Sequence, residues 1–337
     1  MTTPRRLITI WLAFRVVAAA ADPTLINLVM PDAKFVMGVN AAKILASPIA
    51  REIAAQVRGG NPEVQKVLAD IGFDPTRDLQ EIVLATTGQG QNPPTLLMAR
   101  GNFDVAKFSS FVSNGKTPLT YEGVTILKSS GTTYGAVAFL DNTVALGGDL
   151  DQVRAAIHRH MQGTALNSTL SAKVDGISRR YDVWLVSSAS MSGVASSITD
   201  PNMRQMGQLL ESIQEVSGGI KFGPGMEMAV EALTRTAKDA SGLADSVRLL
   251  VALASMNQQG GSALRPDSLK LTVDARTVRL TLNITEEEMR KAYQAQMARR
   301  TTQQPAQEKP HVAATGLTIQ SSDKDMGTVS LPPAKKE

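Results

Sequence analysis

With 337 residues, 43% of them apolar, the chain has material for two ordinary domains with real cores. Its formal charge of +4 invites a nucleic-acid reading, but Arg5, Arg6 and Arg15 lie in the first 21 residues, which hold no acid, and without these three +4 falls to +1. Aromatics for base stacking are only 4%, and the absence of cysteine excludes disulfides, thiolate metal sites, iron–sulfur clusters and cysteine nucleophiles, so no nucleic-acid partner is expected.

Residues 1–21 carry Arg5-Arg6, an apolar run from Leu7 to Phe14, then Val16-Val17 and four alanines before Asp22-Pro23. A charged start, a short apolar middle and small residues at the end are the features of a secretory signal, with Ala19-x-Ala21 as its cleavage signal. The run is shorter than the roughly 20 apolar residues of a membrane span, and Arg15 interrupts the pattern, so membrane contact is expected only if the segment is retained. A periplasmic or secreted location is the expectation.

Phe35 to Val39 reads as a short buried strand, and Ser47-Pro48 as a helix start, since proline at the first helical position forfeits no hydrogen bond. Ile49, Ile53 and Val57 then share one face; Gly59-Gly60 ends that helix, and Asn61-Pro62 opens another that carries Val64, Val67, Leu68 and Ile71. Leu79 to Thr86 and Thr95 to Ala99 read as paired strands, and Asp104 as the start of a helix with Val105, Phe108 and Phe111 inward. Tyr134 to Leu140, an Asp141-Asn142 turn and Thr143 to Leu146 form a hairpin, after which Asp149 opens a helix burying Val153 and Ile157.

The second half repeats this plan. Val183-Trp184-Leu185-Val186 stands where Phe35 to Val39 stood, and Asp200-Pro201 starts a helix with Met203, Met206, Leu210 and Ile213, ended by Gly218-Gly219. Ile220 to Phe222 and Met226 to Ala232 are strands across Gly223-Pro224-Gly225. Thr236 with Asp239 makes a capping box for a long helix striped with Leu243, Val247, Leu250, Val251 and Ala254. Leu269 to Val273 and Val278 to Ile284 alternate as a hairpin about Asp274-Ala275-Arg276, and Thr285 with Glu288 caps a following helix. Thr143-Val144-x-Leu146 matches Thr277-Val278-x-Leu280. The fold expected is therefore α+β: two similar halves, residues 22–166 and 167–299, each an antiparallel sheet with helices packed on one face. Residues 300–337, rich in Thr, Gln, Pro, Lys and Glu, read as a disordered polar tail.

Tests for chemistry return refusals. Gly115-Lys116-Thr117 lacks the first glycine of a P-loop, because Ser110 stands there, and after Gly88 and Gly90 the third glycine position of a dinucleotide loop is Pro93. His158 and His160 point about 200° apart on a helix and cannot easily share a metal; at a helix end their imidazoles suit the macrodipole. His311 falls in the tail. No G-x-S-x-G occurs, and Ser187-Ser188-Ala189-Ser190 reads as a loop. Asp149 and Asp151, like Glu286 to Glu288, sit where carboxylates stabilise the amides of a helix start. Glu227 and Glu231 fall on the solvent face of a strand, and Met203 and Met206 read as core filling. No catalytic, cofactor-binding or metal-binding residue is assigned.

Met30-Pro31-Asp32-Ala33-Lys34-Phe35-Val36-Met37-Gly38-Val39-Asn40, the Ser47-Pro48 helix start, and Ala237-Lys238-Asp239-Ala240 leading into Leu243-Ala244 resemble an uncharacterised group of exported bacterial proteins. The resemblance covers residues 25–298 and implies a signal peptide, a duplicated α+β body and no assigned activity; it transfers no functional residue. Arg15 and the long tail depart from it. The function expected is that of an exported, non-enzymatic protein, binding or structural in the cell envelope. Its partner would be a lipid, a peptide or an envelope protein, held in the groove between the halves or on an open sheet face. The alternative is a hydrolase of envelope polymers acting through carboxylates such as Glu227 or Asp149, which requires two carboxylates converging across a cleft.

Overall fold

Apolar residues that alternate with polar ones give each strand one face to bury, and the strands of this chain assemble into a single open sheet. The computed structural model describes residues 20–47, 51, 66, 68–88, 93–113, 118–128, 135–166, 168–189, 204–256, 268–291 and 294. The strands are β1 (Phe35–Asn40), β2 (Leu79–Thr86), β3 (Thr95–Gly101), β4 (Leu119–Tyr121), β5 (Val124–Lys128), β6 (Ala136–Phe139), β7 (Val144–Gly148), β8 (Val183–Ser187), β9 (Ile213–Phe222), β10 (Met226–Thr234), β11 (Leu269–Asp274) and β12 (Thr277–Ile284). Their order is β11-β12-β10-β9-β8-β1-β2-β3-β7-β6-β5-β4, every neighbouring pair antiparallel. The helices are α1 (Pro23–Asn27), α2 (Ala41–Ala46), α3 (Pro75–Asp78), α4 (Val105–Ser113), α5 (Leu150–Gln162), α6 (Ser168–Ser178), α7 (Arg204–Glu211) and α8 (Ala237–Met256). The fold is α+β, with a large antiparallel sheet and several helices.

β1 and β8 lie at the centre, paired through Met37 and Leu185. Across this pair Gly38 faces Trp184, whose indole lies where a side chain on Gly38 would be. Trp184 is 1% exposed and belongs to a core with Val36, Val83, Leu96, Met98 and Leu146. Leu25 and Ile26 of α1, Val153 and Ile157 of α5, and Val174 and Ile177 of α6 join this core. Each such large side chain contributes about 1.5–3 kcal/mol relative to leaving it exposed. A smaller cluster of Ile213, Ala232, Leu243, Ala244 and Val278 binds α8 to the other end of the sheet.

Several expected elements are present: the β2–β3 pair, the β6–β7 and β11–β12 hairpins, and α5 with Val153 and Ile157 buried. Both capping boxes form. Thr236 and Asp239 exchange bonds of 3.1 Å at the start of α8, as do Thr285 and Glu288 at 2.8 and 3.3 Å. Thr236→Ala is expected to cost about 1 kcal/mol, read as a lower urea midpoint with an unchanged slope.

Other readings are corrected. Gly218-Gly219 does not end a helix; α7 ends at Glu211, β9 begins at Ile213, and both glycines lie inside it. Gly219 is there because Tyr181 occupies the space of its missing side chain. Asp149 does stand at the N-cap of α5, as expected, but its side chain makes no capping bond; its Oδ2 accepts the Thr95 amide of β3 at 2.7 Å. The stripe on α8 is buried only in its first half, at Leu243 and Ala244, and Leu250 is 44% exposed. The β4–β5 hairpin was not expected, although Leu119/Tyr121 and Val124/Ile126 alternate about a turn at Glu122 and Gly123, both at positive φ. The signal segment before Ala20, the helix starts at Pro48, Asn61 and Asp200, Gly115 to Thr117, the side chains of Phe111, Met203, Met206 and Ala254, and the tail with His311 lie outside the described residues. Among the described residues no helix is long and apolar enough to cross a membrane.

Candidate functional site

At one end of the core face the alternation of β2 and β3 brings charge where the apolar side chains stop. Glu81 of β2 and Arg100 of β3 are register partners, and Asn40 of β1 lies on the other side of Glu81. Arg100 Nε donates to Asp22 Oδ2 at 2.7 Å and its Nη1 to the Thr143 hydroxyl at 2.7 Å. Burial opposes ionisation of Asp22, yet the bonds from Arg100 and Thr24 hold its carboxyl below the usual carboxylate range. Glu81 behaves in the opposite way: it is 6% exposed, and burial pushes its carboxyl up to about 7. The Asp22 amide, which donates to Oε2 at 3.0 Å, and the charges of Lys43 and Arg100 pull it down, while the Asp22 carboxylate adds to the rise. Oε1 has no hydrogen-bond partner among the described residues.

Lys43 leads from this cluster to a groove. Asn40 starts α2 by accepting the Lys43 amide at 2.9 Å, which sets Lys43, Ala46 and Ser47 on one wall. The opposite wall is the β9–β10 turn with Phe222, Gly223 and Pro224, and Glu286 closes it. Asp182 fixes the two walls together: its carbonyl accepts the Asn40 amide at 2.7 Å, and its Oδ2 accepts the Phe222 amide at 2.8 Å. The enclosed volume is about 420 Å³. A second hollow of about 590 Å³ shares Gly223, Pro224 and Glu286 and adds Lys221, Met226, Glu227, Asn283 and Ile284. Both volumes suit a small organic molecule or a short peptide stretch. The lining combines apolar side chains with groups of either charge. Ser47 is 6% exposed, and its hydroxyl has no hydrogen-bond partner among the described residues. A buried hydroxyl without a partner is a costly feature, satisfied when a bound group supplies the bond.

A further hollow, about 250 Å³ beside Phe73, Phe103 and Phe108, has a structural account. Phe73 stacks on Phe103, Phe108 meets both edge-on, and Phe139 tilts against Phe103 and Phe108; the hollow's cations Arg77 and Lys107 are paired with Asp78 and Asp104.

The residues weighed from sequence are scattered. Glu227 lines the second hollow, whereas Glu231 pairs with Arg279 at 2.9 Å. Asp149 lies at the end of β7, six strand spacings from β10, roughly 29 Å at 4.8 Å per strand, so Glu227 and Asp149 do not converge. Glu286 and Glu287 are tied to Arg290 and Lys291 one turn on. His158 is exposed and bonded to Glu122 at 2.7 Å, and His160 is exposed in the last turn of α5. Among the described residues no three His, Asp or Glu side chains gather to hold a metal. Sequence reasoning passed over Lys43 and Glu81 and read Ser47 only as a helix start. Glu81, an acid at a core-facing position of an apolar strand, was the one visible signal.

No protein-family model matches the chain, and no curated protein matches it at the sequence level. Solved structures of TP0453 are similar to it. Crystal form III aligns with a TM-score of 0.51 at 9% identity, covering 82% of this chain and 99% of that one. Crystal form I aligns with a TM-score of 0.47 at 10% identity over 83% and 99%. At such identity the likeness to form III is one of fold alone.

Proposed function

We propose that this is an exported, non-enzymatic protein of the cell envelope, periplasmic or secreted, built from two similar halves, residues 22–166 and 167–299, whose junction binds an amphipathic ligand. The strand order supports the duplication. Outward from the centre, β1, β2, β3, β7 and β6 answer to β8, β9, β10, β12 and β11, and the central pair is antiparallel, as a two-fold relation requires. The β4–β5 hairpin is then an addition to the first half. Export rests on the signal features of residues 1–21.

The observation that carries the binding role is the groove itself. Lys43, Ala46 and Ser47 come from one half, and Phe222, Pro224 and Glu286 from the other. Apolar walls with charged ends and one buried hydroxyl in want of a bond suit a lipid or a peptide segment with an apolar body and polar ends. Ala46 is exposed on the wall, so Ala46→Trp fills the groove without touching the core. Native mass spectrometry of the protein from its own cells is expected to show a non-covalent adduct that is lost in Ala46→Trp. A wild-type spectrum without adduct, or an adduct equally retained by the variant, contradicts the reading.

A further inference from the structure

Glu81 is a buried carboxylate that the groove does not use. Its Oε2 accepts the backbone amide of Asp22 at 3.0 Å, and its Oε1 has no partner among the described residues. Asp22 is also the residue that follows Ala19-x-Ala21, the cleavage signal read from the sequence. We propose that removal of residues 1–21 converts this amide into an α-ammonium group that docks on Glu81 as an ion pair, so that processing completes the charge cluster at the end of the core face. A signal peptidase supplies the step. Water cleaves the Ala21–Asp22 bond, the new carboxylate leaves with Ala21, and the amine remaining on Asp22 is protonated at neutral pH.

The charges around Glu81 favour this outcome. The groups that face it are the Asp22 carboxylate, Arg100 from β3 and Lys43 from α2. Asp22 and Arg100 already satisfy each other at 2.7 Å, and Asp22 Oδ1 also accepts the Thr24 amide. In the unprocessed chain Glu81 therefore receives one neutral amide proton where a buried carboxylate can take several. An α-ammonium at the same nitrogen brings full charge and three protons, enough to reach both carboxylate oxygens. Two contacts of Ala21 oppose it, since this residue departs with the leader: its 6% exposed side chain packs in the core, and its amide donates to the Ser178 hydroxyl at 3.0 Å. That exchange gives up a neutral hydrogen bond for a charge-assisted one, which is the stronger kind. Cleavage must precede folding, because the folded chain covers Ala21.

The inference rests on the export reading and is independent of the groove. The full chain is produced in an export-competent bacterium, and the first residue of the exported protein is read by intact mass and N-terminal sequencing. Asp22 is the expected first residue. An exported protein beginning at Ala20 or Ala21, or still carrying the leader, overturns the docking alone; a chain found only unprocessed in the cytoplasm overturns the export reading with it. The amine of the processed protein is then titrated by the pH dependence of its reaction with an acylating reagent. It is expected to titrate at least one pH unit above the roughly 7.7–8.0 of a free terminus, and Glu81→Gln to return it to that range. An unshifted amine in the wild type overturns the docking even where Asp22 is first, and this readout stands whether or not the variant folds.

Discussion

Gly38→Ala is expected to destabilise the protein by about 3 kcal/mol, at the upper end of what overpacking costs. Gly38 sits in β1 at the centre of the sheet, opposite Trp184 across the β1–β8 pair, and a methyl group there falls inside the indole ring. Neither side has room to yield, since Trp184 is 1% exposed and β1 is bonded on both edges. The measurement is a urea unfolding curve followed by circular dichroism, with the midpoint lowered and the slope kept. Trp184→Leu in the same chain is expected to relieve part of the Gly38→Ala loss, because contacting residues couple. Additive losses in the double variant would show that the indole is not the obstacle.

The second large effect depends on pH. In the unprocessed chain Glu81 has a folded-state pKa of about 7 against an ordinary value of 4.5, so folding favours its protonated form. That contribution is fully present below pH 4.5 and is lost as pH rises through about 7. Across this window the stability of the unprocessed chain is expected to fall by up to about 3 kcal/mol, the equivalent of the shift. Asp22 works in the other direction, but its lowered pKa acts below its ordinary 3.8, outside the window. Urea midpoints at pH 4.5 and pH 8 are expected to differ in the wild type and to converge in Glu81→Gln. A wild type with equal midpoints, or a difference that survives in Glu81→Gln, places the titrating group elsewhere. In the processed protein an ammonium on Asp22 holds Glu81 ionised, so the same decline is expected to disappear.

Much of the α+β character was legible because strands with a single buried face declare themselves by alternation: Leu79 to Thr86, Val144 to Leu146 and Val278 to Ile284 all lie in strands. Capping boxes were equally local, each needing only Thr and an acid three residues on. What local pattern could not give was which strands meet. The β11–β12 hairpin has the clearest alternation in the chain, yet β11 is an edge strand with Val273 38% exposed, while the quieter β1 and β8 form the centre. Gly218-Gly219 read as a helix stop because the reason for glycine there is the ring of Tyr181, which only the folded chain brings near. The groove was invisible for the same reason: Lys43 and Glu286 are 243 positions apart and share it through the β1–β8, β8–β9, β9–β10 and β10–β12 pairings. Glu81 carried a signal, an acid on the core face of an apolar strand, but its partner Asp22 sits 59 residues earlier beside the expected cleavage point.

Hydrogen exchange of the protein from its own cells, compared before and after solvent extraction of bound molecules, tests the proposed binding role of the groove most directly. Extraction is expected to raise exchange in residues 43–47, 221–227 and 283–287, the segments that line the two hollows, and to leave β4 to β7 unchanged. Exchange that is unaltered in those segments, or altered only around Phe73, Phe103 and Phe108, would contradict the proposed ligand in these hollows.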